Sequence, residues 1–372
     1  MTLRTIPFYK PEFSKEQRQL ITQSIDEILE SGRLMMGPWK DRFEAQFRDI
    51  SGCSEAVSLN SATTALQIAL EYFGAKGCDV LVPAGAFLTD VSSVVFAGGN
   101  PILVDIRADT LSFDFDDLEQ KLTPRSKGII WVHLTGQISS DHERLIAFAR
   151  THNLFVIEDA AHAHGASIDG KAAGSLGDVG VFSFYPTKIV TAGTGGMLTT
   201  CDGKLAEFAR QMRMFGKDDK GEILHLGNDW FLDEIRACVG THHTAELENQ
   251  LARRRQIAGR YNDNFTSTCG FNVFNVPQGH LPAWYHYFVM LDDHVDRKLI
   301  SKQLADEDGI ATKPIYRPLH HEKVFCHLDD GSLKQTEQVL DRALCLPLYV
   351  GLSDDDVDYV SDRLVERIKS HA

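Results

Sequence analysis

Lys188 stands between an apolar run, GVFSF (180–184), and a glycine-rich turn in the stretch FSFYPTKIVTAGTGG (182–196). A lysine amine held there can add to an aldehyde and form an imine, a bond that tethers a carbonyl reagent to protein and can be exchanged again. Asp159 closes a second apolar run, LFVIED (154–159), and a carboxylate so placed can keep a proton on a ring nitrogen. In SATTAL, the residues Ser61, Ala62, Thr63 and Thr64 open a helix after the short strand EAVSL. Hydroxyls and free amide hydrogens at a helix start hold anions. Ser183 adds a hydroxyl near Lys188, and Phe87 in PAGAFLTD offers an aromatic face.

Each of these residues has a plainer role when taken singly. A lysine after a strand is usually a surface lysine, Asp159 can cap the next helix, Ser183 can be a buried hydroxyl, and Phe87 can be core. Taken together they supply what pyridoxal 5'-phosphate requires: an amine for its aldehyde, a carboxylate for its ring nitrogen, donors for its phosphate and an aromatic face over its ring.

The elements that must position these groups read as alternating strands and helices. Apolar strands are expected at DVLVP (79–83), PILVD (101–105), GIIWVH (128–133), LFVIED, GVFSF and GMLTT (196–200). Helical spacing joins Ile21, Ile25, Ile28 and Leu29, then Trp39, Phe43 and Phe47, then Leu66, Ala69, Leu70 and Phe73. DHERLIAFARTHN (141–153) is a further helix. Strands apolar throughout and alternating with helices imply an α/β fold, a mostly parallel sheet flanked by helices, with ligands gathered at the carboxyl edge. From about residue 230 one long helical region leads into a smaller C-terminal α/β lobe. The expected divisions are an N-terminal arm and helix (1–35), a large domain (36–245) and a small domain (246–372).

Bulk properties exclude other classes. The 372 residues, 43% hydrophobic, suffice for a large core. With 38 basic and 52 acidic side chains the net charge is -14, which disfavours nucleic acid and anionic membranes, so an anionic ligand needs a local site. Cysteines 53, 78, 201, 238, 269, 326 and 345 are scattered without a C-x-x-C pair, which suits a reducing cytoplasm. The start, MTLRTIPFYKPEF, carries no signal-peptide run, and no later segment reaches membrane-spanning length. The histidine pairs His242/His243 and His320/His321 lack carboxylate partners at ligand spacing and are expected to be structural or solvated, and ARRRQ (252–256) reads as an exposed helix face or a subunit contact.

Over nearly its whole length the chain resembles the DegT/StrS sugar aminotransferases, a branch of the fold-type I pyridoxal-phosphate enzymes. The resemblance is carried by GPWKDRFEAQF, NSATTALQIAL, PILVDI, VIEDAAHAHGA, GSLGDVGVFSFYPTK, GTGGMLTT, IYRPLHH and CLPLYVGLS in that order. It implies an aspartate-aminotransferase-like fold with Lys188 as the Schiff-base lysine and Asp159 as partner of the pyridinium nitrogen. It further implies His162 beside the cofactor ring, Phe87 stacked on it, Thr63, Thr64 and Ser183 on the phosphate, and His320 near the substrate. The reaction implied is amino transfer from an amino acid, usually L-glutamate, to a keto sugar, most often nucleotide-linked. It is implied to run in a homodimer whose two sites lie at the subunit interface.

The departures from the family pattern are local. In GNDWFL, Asp229 replaces an asparagine that usually reaches the phosphate of the neighbouring subunit's cofactor, and Phe231 replaces an arginine. A carboxylate there repels phosphate unless it is protonated or turned away, and Asn228 stands beside it as a substitute. GTGG stands for the usual GEGG, and SATT lacks the glycine that often follows the serine. Two other readings compete: a sugar dehydratase or deoxygenase of the same branch, against which Lys188 argues because those relatives typically carry histidine there, and a non-catalytic regulatory descendant.

Overall fold

The computed structural model describes residues 4–266 and 270–371; Cys269 lies outside them. The first nine strands are β1 (Glu55–Leu59), β2 (Asp79–Pro83), β3 (Asn100–Val104), β4 (Ser126–Val132), β5 (Phe155–Asp159), β6 (Ser167–Ile168), β7 (Lys171–Ala172), β8 (Val179–Ser183) and β9 (Gly196–Thr200). Seven of them form one sheet in the order β1-β9-β8-β5-β4-β2-β3. The pairs from β3 to β8 are parallel, and β9 runs against both its neighbours. Alternate residues feed opposite faces. Val80 and Val82 of β2 join one apolar layer with Val57, Ile130 and Ile157, while Leu81 joins the other with Ile129, Trp131 and Val156. Both faces are therefore dry, which is why the strands read as unbroken apolar runs.

The helices covering this sheet are α1 (Lys15–Ser31), α2 (Pro38–Ser51), α3 (Ala62–Tyr72), α4 (Leu88–Phe96), α5 (Phe115–Gln120), α6 (His142–Thr151), α7 (Gly203–Met212) and α8 (Glu234–Thr244). Trp39, Phe43 and Phe47 of α2 are buried, and Phe47 meets Phe182 and Phe184 edge-on. On α1 only Ile28 of the expected apolar stripe is buried, and Leu29 is exposed.

Beyond α8 lie α9 (Leu247–Asn264), α10 (Arg297–Asp306), α11 (Lys334–Arg342) and α12 (Asp354–Lys369), with β10 (Phe271–Val273), β11 (His280–Leu281), β12 (Tyr287–Leu291) and β13 (Ala343–Leu346). Strands β10, β12 and β13 make an antiparallel sheet, and β11 pairs with β6. A third apolar cluster, including Tyr261, Tyr287, Val289, Leu344 and Leu364, packs α9 and α12 on that sheet. Buried Asp105, just past β3, ties this region to the large sheet by accepting the Thr336 amide and hydroxyl at 2.6 Å each and the Gln335 amide at 3.0 Å.

The single long helix expected from residue 230 is instead two, broken between Thr244 and Leu247. In the last turns of α8 the hydroxyls of Thr241 and Thr244 donate back to the carbonyls of Ala237 and Gly240, a pattern that bends helices. Each half then follows its own packing partner, α8 on α1 and α2, and α9 on α12.

Candidate active site

A cavity of about 600 Å³ opens at the carboxyl edge of the large sheet. Lys188, Asp159, His162, Thr63, Ser183 and Phe87 all line it, so six of the residues singled out from sequence meet in one place. Asp159 is the last residue of β5 and Ser183 the last of β8, its parallel neighbour, which sets the carboxylate beside the loop that carries Lys188. The loop is pinned on its far side, where the Thr191 amide donates to His243 Nδ1 at 3.0 Å.

The anion cradle is held by backbone contact. Ser61 caps α3, its Oγ accepting the Thr64 amide at 3.1 Å. A Cβ at Gly196, the first residue of β9, would lie 2.3 Å from the Ser61 carbonyl carbon and 2.5 Å from the Ala62 nitrogen. Glycine there lets the helix start press directly on β9, next to the Lys188 loop.

Lys188 Nζ makes neither an ion pair nor a hydrogen bond among the described residues; it lies 4.8 Å from the centroid of the Tyr285 ring. Burial pushes its amine down to about 8, against the opposing pull of Asp159 and Asp90. Burial likewise raises Asp159, an effect moderated by the Ala161 amide, which donates to Oδ1 at 2.9 Å, and by Lys188. His162 is buried, and both burial and Lys188 keep it neutral, well below the usual imidazole range. It stacks on Tyr285 at 4.0 Å and 22°, and its Nε2 meets the Tyr316 hydroxyl at 2.9 Å. Tyr285 is held in turn by Thr187 at 2.8 Å between hydroxyl oxygens, and Tyr316 packs its ring against Phe87 at 5.4 Å. A flat amphipathic shelf thus faces the amine.

Three of the expected site residues stand off the cavity wall of this chain. Thr64 does not line the cavity: its hydroxyl donates to Asn60 Oδ1 at 2.7 Å and meets Ser61 Oγ at 3.0 Å, so it stiffens the cap. Asp229 lies exposed, outside the cavity of its own chain, its amide donating to Asn228 Oδ1 at 2.9 Å. His320 is also off the cavity wall. It is buried beside His321, and the two Nε2 atoms stand 3.2 and 2.7 Å from Glu337 Oε1. The carboxylate missing from the sequence spacing is therefore supplied by α11, with the ligand-type atoms of the trio within 4.8 Å of one another. Arg254 of the ARRRQ segment is buried and lines the cavity, its guanidinium donating to the carbonyls of Trp284 and Leu348.

The sequence reading also passed over Phe8, Tyr9, Tyr285, His286, Lys313 and Tyr316, all on the cavity wall. Phe8 and Tyr9 sit in MTLRTIPFYKPEF, and Tyr316 sits in IYRPLHH. The others come from segments far apart in sequence.

Residues 15–365 match the DegT/DnrJ/EryC1/StrS aminotransferase family. Among curated relatives, the spore coat polysaccharide biosynthesis protein SpsC of Bacillus subtilis is 34% identical, covering 98% of this chain and 97% of that protein. GDP-perosamine synthase of Caulobacter vibrioides is also 34% identical, over 94% of this chain and 95% of its own. The crystal structure of the aminotransferase TlmJ from Streptoalloteichus hindustanus superposes with a TM-score of 0.92 at 30% identity, covering 99% of this chain and 100% of that one. Matched from end to end in sequence, and in fold at that level, the chain belongs to the DegT/DnrJ/EryC1/StrS aminotransferase family.

Proposed function

We propose that this aminotransferase moves an amino group from an amino acid, L-glutamate in the first instance, to a nucleotide-linked keto sugar, with pyridoxal 5'-phosphate as cofactor. The observation that carries the reading is the half-buried, unpaired amine of Lys188 facing the partly open carboxyl of Asp159 in one cavity. The cavity fits the cofactor: one Asp159 oxygen takes the Ala161 amide, the α3 start and the Ser183 hydroxyl offer donors to a phosphate, and His162 Nδ1 is buried without a partner. When bound, the cofactor supplies an exchangeable carbonyl carbon and a protonated pyridine that accepts the electron pair released at the donor carbon.

The chain's own residues then have separate tasks. With its amine near 8, roughly a tenth of Lys188 is neutral at pH 7, so Nζ can take and return a proton close to neutrality. Asp159 holds a proton on the ring nitrogen. The amides at the start of α3, with Thr63 and Ser183, hold the phosphate, and the shelf of His162, Tyr285 and Tyr316 with Phe87 orients the ring and excludes water. Arg254 and Lys313 bring positive charge to the wall for an anionic substrate, which a chain of net charge -14 must attract locally. The relative named GDP-perosamine synthase supports a nucleotide-linked acceptor.

The same reading includes a homodimer in the cytoplasm, and the division into arm (1–35), large domain (36–245) and small domain (246–372). Exposed Phe215, Ile223, Leu224 and Leu226, in the segment that leads to Asp229, support a subunit contact there, and free thiols such as Cys201 and Cys326 suit a reducing compartment. Among the described residues no helix is long and apolar enough to cross a membrane.

The test is incubation with pyridoxal 5'-phosphate, L-glutamate and a panel of nucleotide-linked keto sugars. Appearance of 2-oxoglutarate and an amino sugar in equal amounts is expected. A dehydrated sugar without amine, or cofactor uptake with no transfer to any acceptor, would overturn the assignment.

A further inference from the structure

Asp90 lies in the first turn of α4, on the segment that brings Phe87 and Thr89 to the cavity wall, and its side chain is fully buried. Neither carboxyl oxygen closes a hydrogen bond with an N–H or O–H of the described residues, although the Phe87 amide approaches. The side chain that acts on it at hydrogen-bonding range is the carboxyl of Asp159 on β5. Lys188 acts on both carboxyls, His133 acts on Asp159, and the Tyr316 phenol feels both.

Two carboxyls in contact in a dry interior cannot both be ionised, so the pair carries a proton between them. Its location follows from the unequal surroundings. Asp159 receives the Ala161 amide at 2.9 Å, a hydrogen bond that favours its charged form. Asp90 has only the approaching Phe87 amide, which closes no hydrogen bond with either oxygen. A protonated Asp90 also turns an otherwise orphaned buried group into a satisfied one.

We propose that Asp90 is a positioning residue: it keeps its proton and donates it to Asp159, fixing that carboxylate in the orientation a ring nitrogen requires. The proposal rests on reading Asp159 as the ring-nitrogen partner. Burial first, and the Asp159 charge second, push Asp90 well above the usual carboxylate range, in agreement with the geometry. The donated hydrogen bond also draws charge from Asp159, so that Asp159 holds a neighbouring proton less tightly than a lone buried carboxylate would.

Infrared difference spectroscopy on the cofactor-free protein near neutral pH tests the proton directly. The wild type should show the carbonyl band of a protonated carboxyl, and Asp90→Asn should lose it. Absence of that band in the wild type, or its survival in Asp90→Asn, overturns the proposal. Fluorescence titration with pyridoxal 5'-phosphate reads the positioning effect. Asp90→Asn keeps an N–H donor and should bind within about threefold of wild type, whereas Asp90→Val should lose roughly tenfold or more. Equal losses in the two variants also overturn it. Should no protein take up the cofactor at all, the function proposed above falls, while the infrared result still decides where the proton sits.

Discussion

Glu158 and Asp159 are consecutive acids at the end of β5, and they point to opposite faces of the sheet. Glu158 is used up by the protein. Its oxygens accept the amides of Gly174 at 2.9 Å, Leu176 at 2.5 Å and Gly177 at 2.7 Å, and Oε2 meets His133 Nε2 at 2.9 Å. Asp159 takes one amide and opens on a cavity with a half-buried lysine. Both acids are buried, and they differ in spare bonding capacity. A carboxylate saturated by backbone donors locks a turn, and one left partly unsatisfied is available to a ligand.

The largest expected effect is at the open end. Lys188→Ala should lower transfer at least roughly 10³-fold with circular dichroism unchanged, because Nζ supplies both the attachment and the proton transfer. Comparable loss of fold would place Lys188 in the structural half of the comparison. Asp159→Asn should lower turnover about 10²-fold and leave the melting temperature nearly unchanged. Glu158→Gln should do the opposite. It should lose on the order of 3 kcal/mol of stability, read by urea unfolding, while activity per folded molecule stays within about threefold. If both variants lose activity alike with stability intact, the contrast fails.

The pH dependence of the cofactor-free protein sharpens the same contrast. Lys188 titrates near 8 when folded and near its ordinary 10.5 when unfolded, so between these values the unfolded chain binds more protons and stability rises with pH. Below about pH 8 the charged, half-buried amine opposes folding by at most about 3 kcal/mol. Lys188→Met should therefore stabilise the protein most at neutral pH, and its advantage should fade toward pH 10.5. An advantage independent of pH would show that burial of charge is not its source. The smallest effect belongs to a carboxylate that is neither saturated nor in the cavity. Glu337→Gln, half-exposed and shared by His320 and His321, should change stability by less than about 1 kcal/mol and transfer by less than about twofold. A large loss of transfer would return His320 to the substrate site.

Much of this was legible in the residues. The apolar runs DVLVP and LFVIED give strands because a sheet dry on both faces requires them, and Lys188, Asp159 and Ser183 follow from lying at or just past strand ends. The α3 start was legible in SATT, since capping is local chemistry between residues three apart. Local patterns were silent on side-chain partners. His320 and Thr64 were assigned by motif position, yet what each side chain bonds to is set by Glu337 and Asn60. Within DEIRACVGTHHT only Thr241 and Thr244 hinted at the break after α8, and its place depends on where two different partners stand.

By itself the sequence determined the strands and helices, the chemistry of the lysine and the carboxylate, and the family, because strand and cap preferences act over a few residues and the motifs recur in fixed order. Only the tertiary structure decided that Asp159 is open while Glu158 is saturated, that Asp90 of α4 acts on Asp159, and that Tyr285 faces Lys188 in a cavity Arg254 also lines. Those facts depend on which donors reach a buried oxygen from distant parts of the chain, and hydrogen-bonding capacity is counted in space.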